Sequence, residues 1–186
     1  CSAYKFYGPH VSFLYSKPGL LGSLTTDRLV VQDQEAPYII ETGTLNHAAC
    51  SGVASAIDFI SSIGKGSSLR EKLESAYKQI SIHEFELAKH LYDSLQKEDK
   101  ITIIGQDFSS TKRTPTVSFV HSDFSPQDVC KKLASENICA WDGHFYALKA
   151  IQKLGLEPAG GVTRLGVSLY NTKLEIDRVV EVIKNL

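Results

Sequence analysis

The chain has 186 residues, 42% hydrophobic and 22% charged, which is material enough to bury a core without disulfide or metal staples. Lys plus Arg number 20 and Asp plus Glu 21, a formal net charge of -1 that argues against a nucleic acid or an anionic membrane held by bulk charge. No apolar run approaches the roughly 20 residues of a membrane helix, and no charged-then-apolar signal segment opens the chain.

In chain order, residues 1–66 form a first part. Val11-Ser-Phe-Leu-Tyr15 reads as a short strand between Pro9 and Pro18-Gly19, and Leu29–Val31 and Tyr38–Ile40 are further apolar runs. Thr42-Gly-Thr-Leu-Asn46 is a turn-forming cluster. From His47 to about Ile63, apolar residues at three- and four-residue steps predict a helix, broken by Gly64-Lys-Gly-Ser-Ser68. Residues 67–186 form a second part. Ser68 and Glu71 make a capping box that opens a long amphipathic helix to Leu95, a brace between the two parts.

Beyond it, strands are predicted at Ile101–Ile104, Thr116–His121, Ile138–Asp142 and Val162–Leu169. Helices are predicted at Ser125–Glu136, with Pro126 in the first turn, and at Tyr146–Leu154, ending at Gly155. Thr172 and Glu175 form a second capping box that opens a final helix, with Ile176, Val179, Val180 and Ile183 inward. The second part is therefore a small α+β domain, a few-stranded sheet with packed helices.

Several motifs carry no chemistry. His83-Glu84 begins a zincin pattern, but the residue that should supply the second His is Leu87, and the seven-residue spacing to His90 suits two ordinary helix histidines better than a metal site. Gly64-Lys-Gly-Ser-Ser68 lacks the order of a phosphate loop and reads as a helix connection. Gly160-Gly161 reads as a turn into a strand. Cys1, Cys50, Cys130 and Cys139 form no C-x-x-C pair and no zinc spacing, so the thiols read as reduced, the location as cytoplasmic, and no metal is expected. Cys130 and Cys139 read as small core residues. Met is absent, and the dense opening at Cys1 reads as the interior of a longer protein.

Ser2-Ala-Tyr-Lys5-Phe-Tyr-Gly8-Pro9 is of a different kind: a lysine set among aromatics and followed by Gly-Pro. A primary amine taken out of water is a nucleophile and a Schiff-base former. The segment resembles the cofactor-lysine region of the class V aminotransferase and cysteine desulfurase superfamily, fold-type I pyridoxal phosphate enzymes. The resemblance places Lys5 at the internal-aldimine lysine and Ser2 at a contact to the cofactor phosphate, with Tyr4 where the family often has His. Glu41-Thr-Gly43-Thr44-Leu-Asn46 is similar to a stretch whose Gly-Thr pair reaches the partner's cofactor phosphate across a homodimer interface. Arg164-Leu-Gly-Val-Ser-Leu-Tyr170-Asn-Thr resembles the family's ending, in which the arginine clamps the substrate α-carboxylate. The resemblance spans essentially the whole chain.

It implies an α/β architecture: the C-terminal part of a fold-type I enzyme, with a large-domain remnant at 1–66 and a complete small domain at 67–186. It also implies an amino acid substrate, pyridoxal 5'-phosphate as cofactor in the full-length protein, and a homodimer. The pyridinium carboxylate and the phosphate cup lie upstream of the lysine in the family, so the isolated chain is expected to be inactive. Desulfurases carry a nucleophilic cysteine in a loop before the Arg strand; here Gly143-His144-Phe-Tyr146-Ala147 puts Tyr146 in its place, and a phenol cannot carry sulfane sulfur. Transamination, desulfuration by another thiol, elimination and racemisation stay open. So does a stand-alone α+β ligand-binding or interaction module without catalytic activity.

Overall fold

A computed structural model describes residues 1–110 and 113–186. The chain divides into two compact units, Cys1–Tyr77 and Lys78–Leu186, with the division inside a long helix.

The first unit is built on helix α1 (His47–Ile63). Asn46 caps it by accepting from the Ala49 N–H at 3.0 Å, and Ala49, Val53, Ala56 and Ile60 are its buried stripe. The chain then turns tightly into helix α2 (Leu69–Leu95). A Cβ at Gly64 would stand 1.8 Å from the Lys72 carbonyl oxygen, so the glycine is there for close packing and not for a phosphate. Glu71 accepts from the Ser68 N–H at 3.0 Å while Ser68 Oγ accepts from the Glu71 N–H at 3.2 Å, the expected capping box.

Val11–Tyr15 does not form the predicted strand. Residues 1–3 pair with 11–13 around a single antiparallel bridge, Ser2 to Ser12, and regular pairing stops there. A two-stranded ribbon is marginal by itself, and no third strand among the described residues continues it. Leu29–Val31 and Tyr38–Ile40 lie in turns; of these only Ile39 is buried, while Val30 and Val31 are 99% and 92% exposed.

The second unit holds a four-stranded antiparallel sheet: β1 (Ile101–Ile104), β2 (Thr116–His121), β3 (Trp141–Gly143) and β4 (Val162–Gly166), in the order β1-β2-β4-β3. Strand alternation sends Val117, Phe119, Thr163 and Leu165 to one face, where all are buried. That face packs on Leu87, Ala88, Leu91 and Leu95 of α2, on Val129 and Leu133 of α3 (Pro126–Ser135), and on Ile176, Val180 and Ile183 of α5 (Lys173–Lys184). Burying each of the larger side chains stabilises by about 1.5–3 kcal/mol. Val179, expected inward, is partly buried at the margin of this core. A short helix α4 (Leu148–Lys153) lies between β3 and β4.

Three boundaries differ from expectation for local reasons. β3 starts at Trp141 rather than Ile138, because Asn137 is left-handed (φ 58°) and the Ile138 N–H returns to the Leu133 carbonyl to close α3. α4 starts at Leu148 rather than Tyr146, because Phe145 and Tyr146 have φ of 50° and 61°. β4 ends at Gly166; the Val167 N–H bonds Pro115, and Ser168–Asn171 closes a turn in which Asn171 Oδ1 accepts from the Ser168 N–H at 2.9 Å. The capping boxes and the Ser125 cap form as expected.

Candidate active site

The two ends of the expected site fall in different units. In the first, Lys5 sits on a 3-10 turn (Ala3–Phe6) at the tip of the 1–13 hairpin. The turn closes through the Lys5 N–H to the Ser2 carbonyl (3.1 Å) and the Gly8 N–H to the Ala3 carbonyl (2.9 Å). A Cβ at Gly8 would meet Ala3 Cβ at 2.9 Å, so the Gly of Gly8-Pro9 is what lets the turn shut. Pro9 in turn lies 3.1 Å from where a Cβ on Gly52 of α1 would be, which seats the lysine hairpin against that helix. Lys5 is exposed, its Nζ 5.0 Å from the Tyr4 ring centroid; the burial that its aromatic flanks suggested is not supplied by this unit. Tyr4 itself stacks on His10, their centroids 5.4 Å apart.

Ser2 is half-buried. Gly43 and Thr44 are exposed in the segment that leads to the Asn46 cap, beside the N-terminus of α1, where free N–H groups and the helix dipole favour an anion. The donor set is thus a primary amine, hydroxyls and backbone N–H groups on two segments of one unit. These are the donor types that an aldehyde and a phosphate would need, and among the described residues no backbone hydrogen bond joins the two segments.

In the second unit Arg164 is the central residue of β4. Its neighbours Thr163 and Leu165 point into the core, so alternation puts Arg164 on the opposite face, which it shares with buried Val162. It stands directly across from Ser118 on β2 and Trp141 on β3. Arg164 is half-buried, and its Cζ lies 4.1 Å from the centre of the Phe145 ring. Among the described residues it makes no ion pair and no side-chain hydrogen bond, so its planar fork of donors is open to a bidentate acceptor. Phe145 is a contact that the sequence reading missed; periodicity has nothing to say about a ring in the four-residue turn 144–147.

All four cysteines are free, with Cys1, Cys50 and Cys139 exposed. Tyr146 stands fully exposed on that loop, its N–H donating to His144 Nδ1 at 3.1 Å. Cys130 is half-buried on α3, and burial first, then Asp142, push its thiol up to about 11, far from a thiolate at neutral pH. Cys139 is not the core residue expected: it is exposed in the segment between α3 and β3. The helix histidines are satisfied, His83 donating from Nε2 to the Asn171 carbonyl at 3.0 Å and His90 from Nε2 to Asp177 Oδ1 at 2.6 Å. No group of three or more His, Cys, Asp or Glu able to hold a metal exists among the described residues, and no described helix is long and apolar enough to cross a membrane.

Comparison with known proteins gives a consistent result. The family model for aminotransferase class-V matches residues 1–179. A probable cysteine desulfurase of Halalkalibacterium halodurans is 29% identical over 192 residues, covering 97% of this chain and 43% of that protein. A probable cysteine desulfurase of Methanothermobacter thermautotrophicus is 27% identical over 169 residues, covering 90% of this chain and 38% of that one. Among solved structures, the Escherichia coli cysteine desulfurase CsdA superposes with a TM-score of 0.75 at 22% identity, over 99% of this chain and 44% of its own. The chain thus spans less than half the length of these relatives.

Proposed function

Since the chain belongs to the aminotransferase class-V family, we propose that it is the C-terminal portion of a pyridoxal phosphate-dependent enzyme acting on an amino acid. Residues 1–66 are the remnant of the cofactor-binding domain and 67–186 the small domain. The observation that carries this reading is Arg164: a half-buried guanidinium on the sheet face opposite the core of the second unit, with no acceptor of its own among the described residues.

On this reading Lys5 would hold the cofactor aldehyde, and Ser2, Gly43 and Thr44 its phosphate, the last two across a homodimer interface. When bound, pyridoxal phosphate supplies an electron sink for the bonds at the substrate Cα. Arg164 would donate to the substrate carboxylate in a two-point fork and so fix which Cα bond lines up for cleavage. The amine of Lys5 would take and return the proton at the substrate Cα. Tyr146, in place of a loop thiol, provides no nucleophile for sulfur transfer, so the loop supports chemistry other than desulfuration by a persulfide. Exposed Leu14, Tyr15, Val30 and Val31 are consistent with further protein covering this unit, as a homodimer would, and the four free cysteines suit a cytoplasmic location.

The test uses the full-length protein. Lys5→Ala is expected to abolish turnover, and Arg164→Lys to raise the KM for amino acid substrates at least about tenfold, because a point charge cannot replace the fork. An unchanged KM in Arg164→Lys removes Arg164 from the site.

A further inference from the structure

We infer that Phe145 is a positioning residue for substrate: its ring lies on one face of the Arg164 guanidinium and fixes the direction in which the fork presents its donors. The inference rests on the carboxylate-clamp reading of Arg164 and deepens it.

Three features of the second unit carry it. The contact is close, 4.1 Å from Cζ to the ring centre, and both partners are half-buried, so the cation and the ring meet where water competes poorly. The backbone that delivers the ring is unusual: Phe145 and Tyr146 are consecutive L residues with φ of 50° and 61°, a conformation disfavoured by Cβ sterics. The turn is nevertheless tied down at both sides, by Gly143 paired with Val162 in the sheet and by the Ala147 N–H donating to the His144 carbonyl at 2.7 Å. A strained turn held in this way keeps the ring over the guanidinium.

The consequence for Arg164 is geometric. Arginine has long, freely rotating χ angles, and a fork presents both donors to a carboxylate only when its plane is set. No described carboxylate or carbonyl sets that plane. The guanidinium carbon lies over the ring, and its N–H groups have no acceptor among the described residues. Loss of the ring should therefore weaken carboxylate capture without touching the rest of the substrate.

The experiment is titration of the full-length holoenzyme with L-alanine and with ethylamine, the same molecule without its carboxylate, followed by cofactor absorbance. Phe145→Leu removes the π face; Phe145→Gly removes the ring while favouring the left-handed backbone, so that a folded variant is in hand if the leucine strains the turn. Both are expected to weaken L-alanine binding about 3- to 30-fold, the range of a cation–ring contact at a partly dry site, and to leave ethylamine within twofold. Phe145→Tyr restores the affinity. As a readout independent of the cofactor, the Arg164 Nε–H resonance should carry a ring-current shift that disappears in Phe145→Leu. Arg164→Lys is run alongside. If it weakens L-alanine but Phe145→Leu and Phe145→Gly do not, the positioning role is overturned and the clamp stands; if Arg164→Lys has no effect either, the clamp falls and the positioning role with it.

Discussion

The approach of β3 to β4 can be tested at a pair of adjacent glycines that differ in one respect. Gly160 and Gly161 both have left-handed backbones, φ 86° and 96°. A Cβ on Gly160 would meet nothing within 4 Å, whereas one on Gly161 would lie 2.3 Å from the Gly143 carbonyl oxygen. Gly160→Ala should therefore cost only the backbone conformation, about 1–2 kcal/mol. Gly161→Ala adds an overlap with main chain that cannot swing aside, for which about 1–3 kcal/mol more is the usual range. The difference between the two variants, about 1–3 kcal/mol, isolates the close approach and cancels most of the unfolded-state effect of replacing glycine. Urea unfolding read by fluorescence suits the question, because the single tryptophan is Trp141 on β3, the strand that must move. Equal losses of stability in the two alanine variants would show that β3 shifts freely and would refute the packing argument, and with it the fixed seat of the turn that carries Phe145.

Two further predictions concern single groups. The Ser67 hydroxyl and the Ser67 and Ser68 N–H groups hold Glu71 down to about 2 from an ordinary 4.5, so its cap contributes fully above pH 4.5 and is lost as pH falls towards 2. Glu71→Gln is expected to be less stable than the parent at pH 6, with the gap closing between pH 4.5 and 2 in thermal melts; a gap that does not change with pH contradicts the role given to the carboxylate. Cys130, pushed up to about 11, has on the order of one thiol in a thousand ionised at pH 8. Brief iodoacetamide treatment followed by peptide mapping should label exposed Cys139 well before Cys130, and equal labelling would show that the thiol on α3 is neither shielded nor shifted.

What could be read from the sequence follows from the range of the forces involved. α1 and α2 match their predicted bounds and α5 its predicted start because each is specified locally, by Asn46, by Ser68 with Glu71 and by Thr172 with Glu175, ahead of a stripe at helical spacing. β1 and β2 were equally plain, since alternation along Thr116–His121 reports a sheet with one buried face. The segments that failed depend on partners. Val11–Tyr15 has strand composition but, among the described residues, only residues 1–3 to pair with. Ile138–Ala140 is apolar enough for a strand, yet it is used to close α3.

The candidate site divides along the same line. Lys5, Gly43, Thr44 and Arg164 were picked out by motif; that Arg164 faces away from the core follows from β4 alternation once the strand is accepted. The ring on Arg164 was not legible, because it depends on two left-handed residues that nothing in their side chains announces.

That turn also bears on which reaction the proposed enzyme performs. A sulfur acceptor in this loop would need a thiolate able to swing to the substrate, and hence a loop free to move. Here the loop offers a phenol at Tyr146, and its neighbour is committed to Arg164 through the Phe145 ring. On the proposed reading, the loop that carries Tyr146 belongs to the carboxylate site through Phe145 and Arg164, and the chemistry expected of the full-length enzyme is what an electron sink, a clamped carboxylate and a lysine amine can do at Cα.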